Sequence, residues 1–313
     1  MGLFDKLKDP VFYKESDNAK QQLAALLDIQ KKATGQAAAE IDQEIRIVKA
    51  GIEGERQIHF ELEHSHIPMY VLHDLHLEHN ALTAQIDYLI ITRKHNFVVE
   101  CKNLYGNIEI NQNGDFIRTI SYGGYTAKEG IYSPVTQNRR HLDLIREIRA
   151  ETKNILTRGT FEKNFYQNYR SVIVLSNPKT VLNDRYAPKD IRAQVIRADQ
   201  LAALIRRVDE DPKSIAGSDK EMEALAQFFL NAHKEQSVDY AKRFRDMIKS
   251  EAVNSEKAQK KGKMKKAVNG TMVRCPKCGA PMVRRKANKG VNAGKEFYGC
   301  SNYPQCRGIV KID

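Results

Sequence analysis

The sequence has no tryptophan and only nine prolines in 313 residues, so its aromatic chemistry rests on 13 tyrosines and 11 phenylalanines. Long apolar runs are missing. Stretches such as Tyr88–Ile91 are a few residues long, far short of the ~20 needed for a membrane-spanning helix. The opening MGLFDKLKDP lacks the apolar stretch of a secretion signal, and Lys6 stands where a myristoylation motif has Ser or Thr. These absences predict a cytoplasmic location. Cysteine is nearly absent from the first 270 residues, where Cys101 stands alone. Without a secretion signal, that excludes a disulfide-stapled fold. No internal repeat is visible.

What is there is unevenly placed. The formal net charge is +12. Residues 251–313 hold 15 Lys/Arg against 4 Asp/Glu, whereas residues 1–250 hold 36 against 35. A basic excess confined to the C-terminal fifth suits a nucleic-acid-binding appendage, with a merely solubilising tail as the plainer reading. At 313 residues the chain is long enough for two or three domains.

Residues 15–50 read as helical, with Leu23, Leu26, Leu27, Ile41, Ile45 and Val48 on one stripe. Such an arm packs on a main domain or pairs as a coiled coil; its shortness and irregularity favour packing. Gly51 to about Leu62 reads as a second helix. Strands are expected at Tyr70–Leu75, Thr83–Thr92 and Phe97–Leu104, then a hairpin, Asn107–Asn111 with Phe116–Ser121, turning at Asn113-Gly114. Ser133-Pro134 opens a helix to about Ile148, with Ser as N-cap. Strands follow at Ser171–Ser176 and Gln194–Arg197, then a helix from Asp199 to about Val208. This order implies an α/β fold, a mixed sheet flanked by helices. Residues 211–250 look helical and charged. Residues 251–270 carry six lysines and almost no large apolar residue, as a basic linker does.

The most informative stretch is AQIDYLIITRKHNFVVECKN, residues 84–103. If Arg93–Asn96 forms the loop of an antiparallel hairpin, Thr92 faces Phe97 and Asp87 faces Lys102. Alternation then puts Asp87, Glu100 and Lys102 on one sheet face. Opposed residues lie ~5 Å apart and diagonal ones ~7–8 Å, close enough for two carboxylates to share a divalent cation. Phosphodiester hydrolysis needs such an arrangement. Hard carboxylate oxygens hold Mg2+, the cation activates water, and a lysine stabilises the developing charge. The plainer reading is a solvent-facing cross-strand ion pair. Two charges closing the apolar strand Phe97, Val98, Val99 argue against it. Cys101 should point to the opposite face, as a buried apolar residue rather than a nucleophile. The six histidines between 59 and 79 show no convincing ligand spacing.

The run from Gly51 to Ile110 resembles the nuclease-related domain, NERD. The resemblance rests on Gly51-x-x-Gly54-Glu55, Gln85-Ile86-Asp87, Glu100-x-Lys102-Asn103 and Gly106, then Ser133-Pro134-x-x-Gln137-Asn138. It spans roughly residues 51–165 and places the domain with the PD-(D/E)xK nuclease superfamily, although Ile86 stands where the superfamily has proline. It implies a restriction-endonuclease-like architecture, Mg2+ or Mn2+ held by Asp87 and Glu100, catalysis by Lys102, and supporting contacts from Glu55 and Gln137. From the residues alone, Glu55 reads equally as a surface carboxylate and Gln137 as a helix cap.

Cys275, Cys278, Cys300 and Cys306 crowd into the last 39 residues, spaced C-x2-C-x21-C-x5-C. Four thiolates close a tetrahedral Zn2+ site with no open position, so the metal is structural and stands in for a core that 43 residues cannot build. CPKCGAPMVRRKANKGVNAGKEFYGCSNYPQC resembles the C-terminal zinc finger of bacterial type IA topoisomerases, which implies binding of single-stranded DNA. Arg274, Lys277, Arg284, Arg285, Lys286 and Lys289 can follow phosphates. Phe297, Tyr298 and Tyr303 can stack on bases, or pack around the zinc.

The expected organisation is therefore a helical arm (1–50), a nuclease-like domain (51–210), a helical segment and basic linker (211–270) and a zinc ribbon (271–313). The expected activity is metal-dependent hydrolysis of DNA. The alternative is a non-catalytic DNA- or RNA-binding scaffold, or a factor acting in RNA processing. The expected partner is DNA, single-stranded or with single-stranded regions, with RNA second, no membrane, and a cytoplasmic or nucleoid location.

Overall fold

The computed structural model describes residues 6–235, 239–251, 273–289 and 291–312. They fall into two compact units, 1–245 and 246–313. Of the expected basic linker (251–270), residues 252–270 lie outside the described residues. Among the described residues no helix is long and apolar enough to cross a membrane.

The first unit is built on a six-stranded mixed sheet in the order β1-β2-β3-β4-β8-β10. These strands are β1 (Pro10–Lys14), β2 (Met69–His79), β3 (Leu82–Ile91), β4 (Asn96–Lys102), β8 (Tyr169–Leu175) and β10 (Val195–Arg197). β3 runs antiparallel to both β2 and β4, while β4, β8 and β10 are parallel. Alternation along β4 sends Val98 to one face and Phe97 and Val99 to the other. On the first face the sheet is covered by α3 (Pro134–Glu151), α4 (Ile155–Asn168) and α7 (Asp219–Ala232), through Leu142, Ile145, Phe165, Met222 and Phe229. On the second it is covered by α2 (Gly35–Glu63) and α6 (Leu201–Asp209), through Ile58, Leu62, Leu201 and Ile205. Each such buried aliphatic side chain contributes roughly 1.5–3 kcal/mol. The result is the expected mixed α/β architecture.

Several elements differ from the sequence reading. The N-terminal helical stretch breaks between α1 (Asn18–Gln30) and α2, where Gly35 has φ +59°, and not at Gly51. Gly51 is exposed within α2, and the buried stripe of Ile41, Ile45, Val48, Ile58 and Leu62 outweighs the ~1 kcal/mol that an interior glycine costs. β1 and α4 carry no strong pattern of their own and form by docking on the sheet. The expected β5–β6 hairpin extends by a third strand. β5 (Asn107–Ile110), β6 (Phe116–Tyr122) and β7 (Tyr125–Ile131) form a second sheet with β9 (Leu182–Asn183). Polar, mostly exposed β7 is held by its ladder to β6, which leaves no hydrophobic trace in the sequence.

The β3–β4 register is also shifted by two. Ile91 pairs with Asn96 and Tyr88 with Val99, so the turn is Thr92–His95. Thr92 belongs to the turn because its hydroxyl donates to the His95 carbonyl at 2.8 Å and accepts from the His95 N–H at 3.0 Å. This ladder, extended, sets Asp87 opposite Glu100 rather than Lys102. An even shift preserves parity, so Glu100 and Lys102 keep a common face, while alternation breaks at Asp87, where Ile86 and Leu89 both pack on the α3 side and Tyr88 on the other.

In the second unit, β11 (Met282–Lys286), β12 (Glu296–Cys300) and β13 (Ile309–Lys311) form an antiparallel three-stranded sheet.

Candidate active site and zinc ribbon

β4 sits in the middle of the main sheet, so its side chains are covered on both faces. Glu100 is 3% exposed, an unusual place for a carboxylate. Its Oε1 is well supplied, accepting from Lys102 Nζ at 2.6 Å and from Gln137 Nε2 at 2.7 Å. Gln137 Oε1 in turn accepts from Lys102 Nζ at 3.1 Å. The Gln137 side chain therefore links acid and lysine instead of capping its helix, a role taken by the Ser133 hydroxyl, which accepts from Thr136 N–H. Glu100 Oε2 is buried with no hydrogen-bond partner. Burial raises the Glu100 carboxyl, opposed by Lys102 and Gln137.

Asp87 lies where β3 and β4 part. Its Oδ2 accepts from the Cys101 backbone N–H at 2.7 Å, filling the ladder position that the strands leave open. Burial pushes its carboxyl well up, the neighbouring Glu100 adds to this, and the Cys101 N–H opposes it. Asp87 and Glu100 repel one another when both are ionised, a cost that a bound cation would offset.

Glu55 approaches from the α2 face. Its Oε2 lies 3.2 Å from His73 Nε2, and its charge contributes to raising Asp87. Gly54 lets α2 come this close. A Cβ there would meet Ser176 Oγ at 2.5 Å and Asn103 Cβ at 2.8 Å. Asn103 fixes the same junction by donating to the Ala50 carbonyl at 2.6 Å. Cys101 packs among the apolar residues under α2, and burial drives its thiol pKa up, which disfavours the thiolate.

His141 was missed by the sequence reading. Its Nδ1 lies 3.7 Å from Glu100 Oε2, buried and itself without a partner. Burial, with help from Lys102, lowers its pKa to about 4 and keeps the imidazole neutral. A signal existed: His141 is one turn past Gln137 on the same helix face.

The donor set fits a hard divalent cation. Asp87 and Glu100 present carboxylate oxygens, and the orphaned Glu100 Oε2 is the atom such an ion would satisfy.

In the second unit the Sγ atoms of Cys275, Cys278, Cys300 and Cys306 all lie within 4.8 Å of one another. Cys275–Cys306 is 3.7 Å and Cys278–Cys300 3.4 Å. Thiolates at ~2.3 Å from a tetrahedral Zn2+ stand ~3.8 Å apart, so the cluster fits structural zinc. Gly279, φ +72°, closes the first knuckle. Gly308, not noticed in the sequence, is required too, since a Cβ there would lie 2.2 Å from Cys275 Sγ.

The ribbon register divides the expected nucleic-acid contacts. Arg284 pairs with Tyr298 on one face, with Lys286 alongside and Arg284 ion-paired to Glu296. Arg285, Phe297 and Lys311 line the other face. There the Arg285 guanidinium lies 5.8 Å from the ring of Tyr303, itself 58% exposed. Phe297 and Tyr298 are half-buried on opposite faces. Arg274 donates to the Gly279 carbonyl at 3.2 Å, and exposed Lys277 sits on the first knuckle.

Residues 50–176 match the family model of the nuclease-related domain, NERD, and residues 272–313 match that of the topoisomerase DNA-binding C4 zinc finger. The chain thus carries a nuclease-related domain and a topoisomerase-type zinc ribbon, as the sequence motifs led one to expect. No curated protein and no solved structure matched the chain.

Proposed function

We propose that this chain, which joins a nuclease-related domain to a topoisomerase-type C4 zinc ribbon, is a divalent-metal-dependent nuclease acting on DNA in the cytoplasm or nucleoid. The observation that carries the proposal is the buried Glu100, with Oε1 fixed by Lys102 and Gln137 and Oε2 left without a partner beside Asp87. A fold maintains such an arrangement at a cost to stability, which function explains better than packing does.

Mg2+ or Mn2+ held by Asp87 and Glu100 would supply Lewis acidity, lowering the pKa of water and offsetting phosphate charge. Lys102 presents a fixed ammonium to the phosphodiester as negative charge develops. Gln137 holds that ammonium against Glu100. His141, kept neutral, walls the carboxylate without adding charge. Glu55 contributes negative charge from the α2 face, which raises the Asp87 carboxyl and would be offset by a bound cation. The ribbon and its basic flank hold single-stranded DNA, with phosphates on Arg274, Lys277, Arg284, Arg285 and Lys286 and bases on Phe297, Tyr298 and Tyr303.

A second reading, a non-catalytic DNA- or RNA-binding scaffold, is favoured by one observation. Among the described residues, the four cysteines are the one group of three or more potential ligands gathered tightly enough to hold a metal ion. The decisive experiment compares cleavage of labelled single-stranded DNA, duplex DNA and RNA by wild type and Glu100→Gln, purified identically, with Mg2+, with Mn2+ and without either. Metal-dependent cleavage that the variant loses by orders of magnitude supports the nuclease. Equal cleavage by both refutes the site, and no cleavage on any substrate selects the scaffold.

A further inference from the structure

A cavity of about 770 Å3 opens at the end of the sheet remote from Glu100. It is enclosed by the Thr92–His95 turn, the last turns of α3 and α4, the start of β8 and the loop between α6 and α7. Asn96, in the cavity lining, is four residues from Glu100 and six from Lys102 along β4, which sets the cavity ~13–20 Å from the carboxylate–lysine site.

Its charge is one-sided. Five cations line it, Arg93, Lys94, Arg149, Arg170 and Lys213, against the carboxylates of Asp211 and Glu221. Arg93 is neutralised by Asp219 at 2.7 Å. Both acids are engaged locally: Glu221 accepts from Ser218 N–H and Oγ, and Asp211 from Lys213 N–H. Lys94 finds only the backbone carbonyl of Asp211, at 3.1 Å. The Nε atoms of Arg149 and Arg170 are buried with no hydrogen-bond partner at all. Such an N–H without an acceptor costs ~1–3 kcal/mol. The Arg149 guanidinium also lies 4.4 Å over the Phe228 ring and bonds to Tyr169, so the cationic excess of the lining rests on Lys94, Arg170 and Lys213.

The wall is also rigidly built. His95, 1% exposed, bridges Asp209 through Nδ1 at 2.8 Å and Ser214 Oγ through Nε2 at 2.9 Å. Thr92 Oγ1 lies 3.0 Å from the same Asp209 carboxylate, which competes with the His95 carbonyl for its proton, and Gly217 N–H donates to the Arg93 carbonyl at 2.6 Å. In this relay Ser214 Oγ is spent on tying the loop to the turn. Apolar side chains, Phe161, Met222 and Leu225, complete the lining. The volume falls within the ~300–1,000 Å3 usual for small-ligand sites, and planar guanidinium donors match phosphate oxygens.

We infer that this cavity binds a small phosphorylated molecule of nucleotide size, with Arg170, Lys94 and Lys213 on its phosphates and the Phe161–Leu225 side on its organic part. The inference does not depend on the nuclease reading, because the two sites share no residue.

The test is titration calorimetry of the full chain with sodium pyrophosphate and with ADP, at constant ionic strength. Saturable binding near one per chain is expected, with ADP tighter than pyrophosphate. Arg170→Gln should weaken it at least about tenfold, the effect of one charged hydrogen bond. Should Arg170→Gln fail to fold, Lys213→Glu, on an exposed side chain, should weaken it comparably. Lys32→Ala, exposed in the turn between α1 and α2, should leave it unchanged. Absence of saturable binding with both probes overturns the inference, as does affinity unaltered by both Arg170→Gln and Lys213→Glu. A short single-stranded oligonucleotide that binds wild type and loses affinity in these variants, while ADP does not bind, makes this a nucleic-acid backbone site and also overturns it.

Discussion

Gln137 shows how much a single side chain decides. Its amide donates to Glu100 and accepts from Lys102, so it fixes the spacing of acid and base at once. Gln137→Leu should leave the helix intact but free the lysine to collapse onto either carboxylate oxygen. We expect cleavage to fall by about 10- to 100-fold, the range for groups that position a catalytic residue, with DNA affinity unchanged. Single-turnover cleavage alongside oligonucleotide binding measures both, and an unaltered rate would remove Gln137 from the site. Gly308 matters for the opposite reason, the absence of a side chain. Gly308→Ala pushes a methyl into Cys275 Sγ, so zinc should leave the full chain faster on chelator challenge. Zinc release at the wild-type rate would contradict the close approach.

Among the elements, β1 depends on one aspartate. The β2–β3 ladder skips the Asp74–Asp87 position, where Asp74 adopts φ +54°. Its carboxylate accepts from Ser16, Asn18 and Gln85, while Lys14 donates to the carbonyls of His73 and Asp74. Burial alone would raise this carboxyl, but the hydrogen bonds from Ser16, Gln85 and Asn18, with Lys14, hold it below its ordinary value. A depressed carboxylate stabilises the fold above the unfolded pKa of ~4 and loses that contribution as pH falls through the lower folded value. Asp74→Ala should therefore cost about 2 kcal/mol at neutral pH. The deficit should shrink below about pH 4, read from urea melts across pH. A deficit independent of pH would mean that the staple is steric rather than ionic.

For the whole molecule the main question is how labour divides between the two units. The N-terminal 250 residues are nearly neutral, and the basic excess lies beyond them. Chain lacking residues 252–313 should lose most of its affinity for single-stranded DNA. Full-length affinity should fall steeply with salt, by roughly one decade per decade of salt for each phosphate neutralised. Tyr303→Ala should weaken single-strand binding by ~1–3 kcal/mol without changing the salt slope, because stacking carries no charge. Fluorescence anisotropy at several salt concentrations separates the two. Equal binding after truncation would transfer the DNA contact to the first unit.

The amino-acid sequence by itself determined the parts whose chemistry is local. The four cysteines announce their metal by spacing, and Glu100 and Lys102 share a face because strand alternation is a property of the backbone and survives a two-residue slip of register, whereas at Asp87 the alternation breaks. Helix α3 is legible from Ser133-Pro134 for the same reason. Tertiary structure alone decided the rest. Thr92 leaves the ladder because His95 and Asp209, the latter 117 residues away, compete for its hydroxyl. His141 joins the site only because α3 packs across β4, and Gly54 and Gly308 matter only through atoms brought near them by folding. The cationic cavity is the extreme case, since Lys94, Arg149, Arg170 and Lys213 are ordinary surface-type residues in sequence. Only the meeting of a turn, two helix ends and a loop gathers them around one cavity.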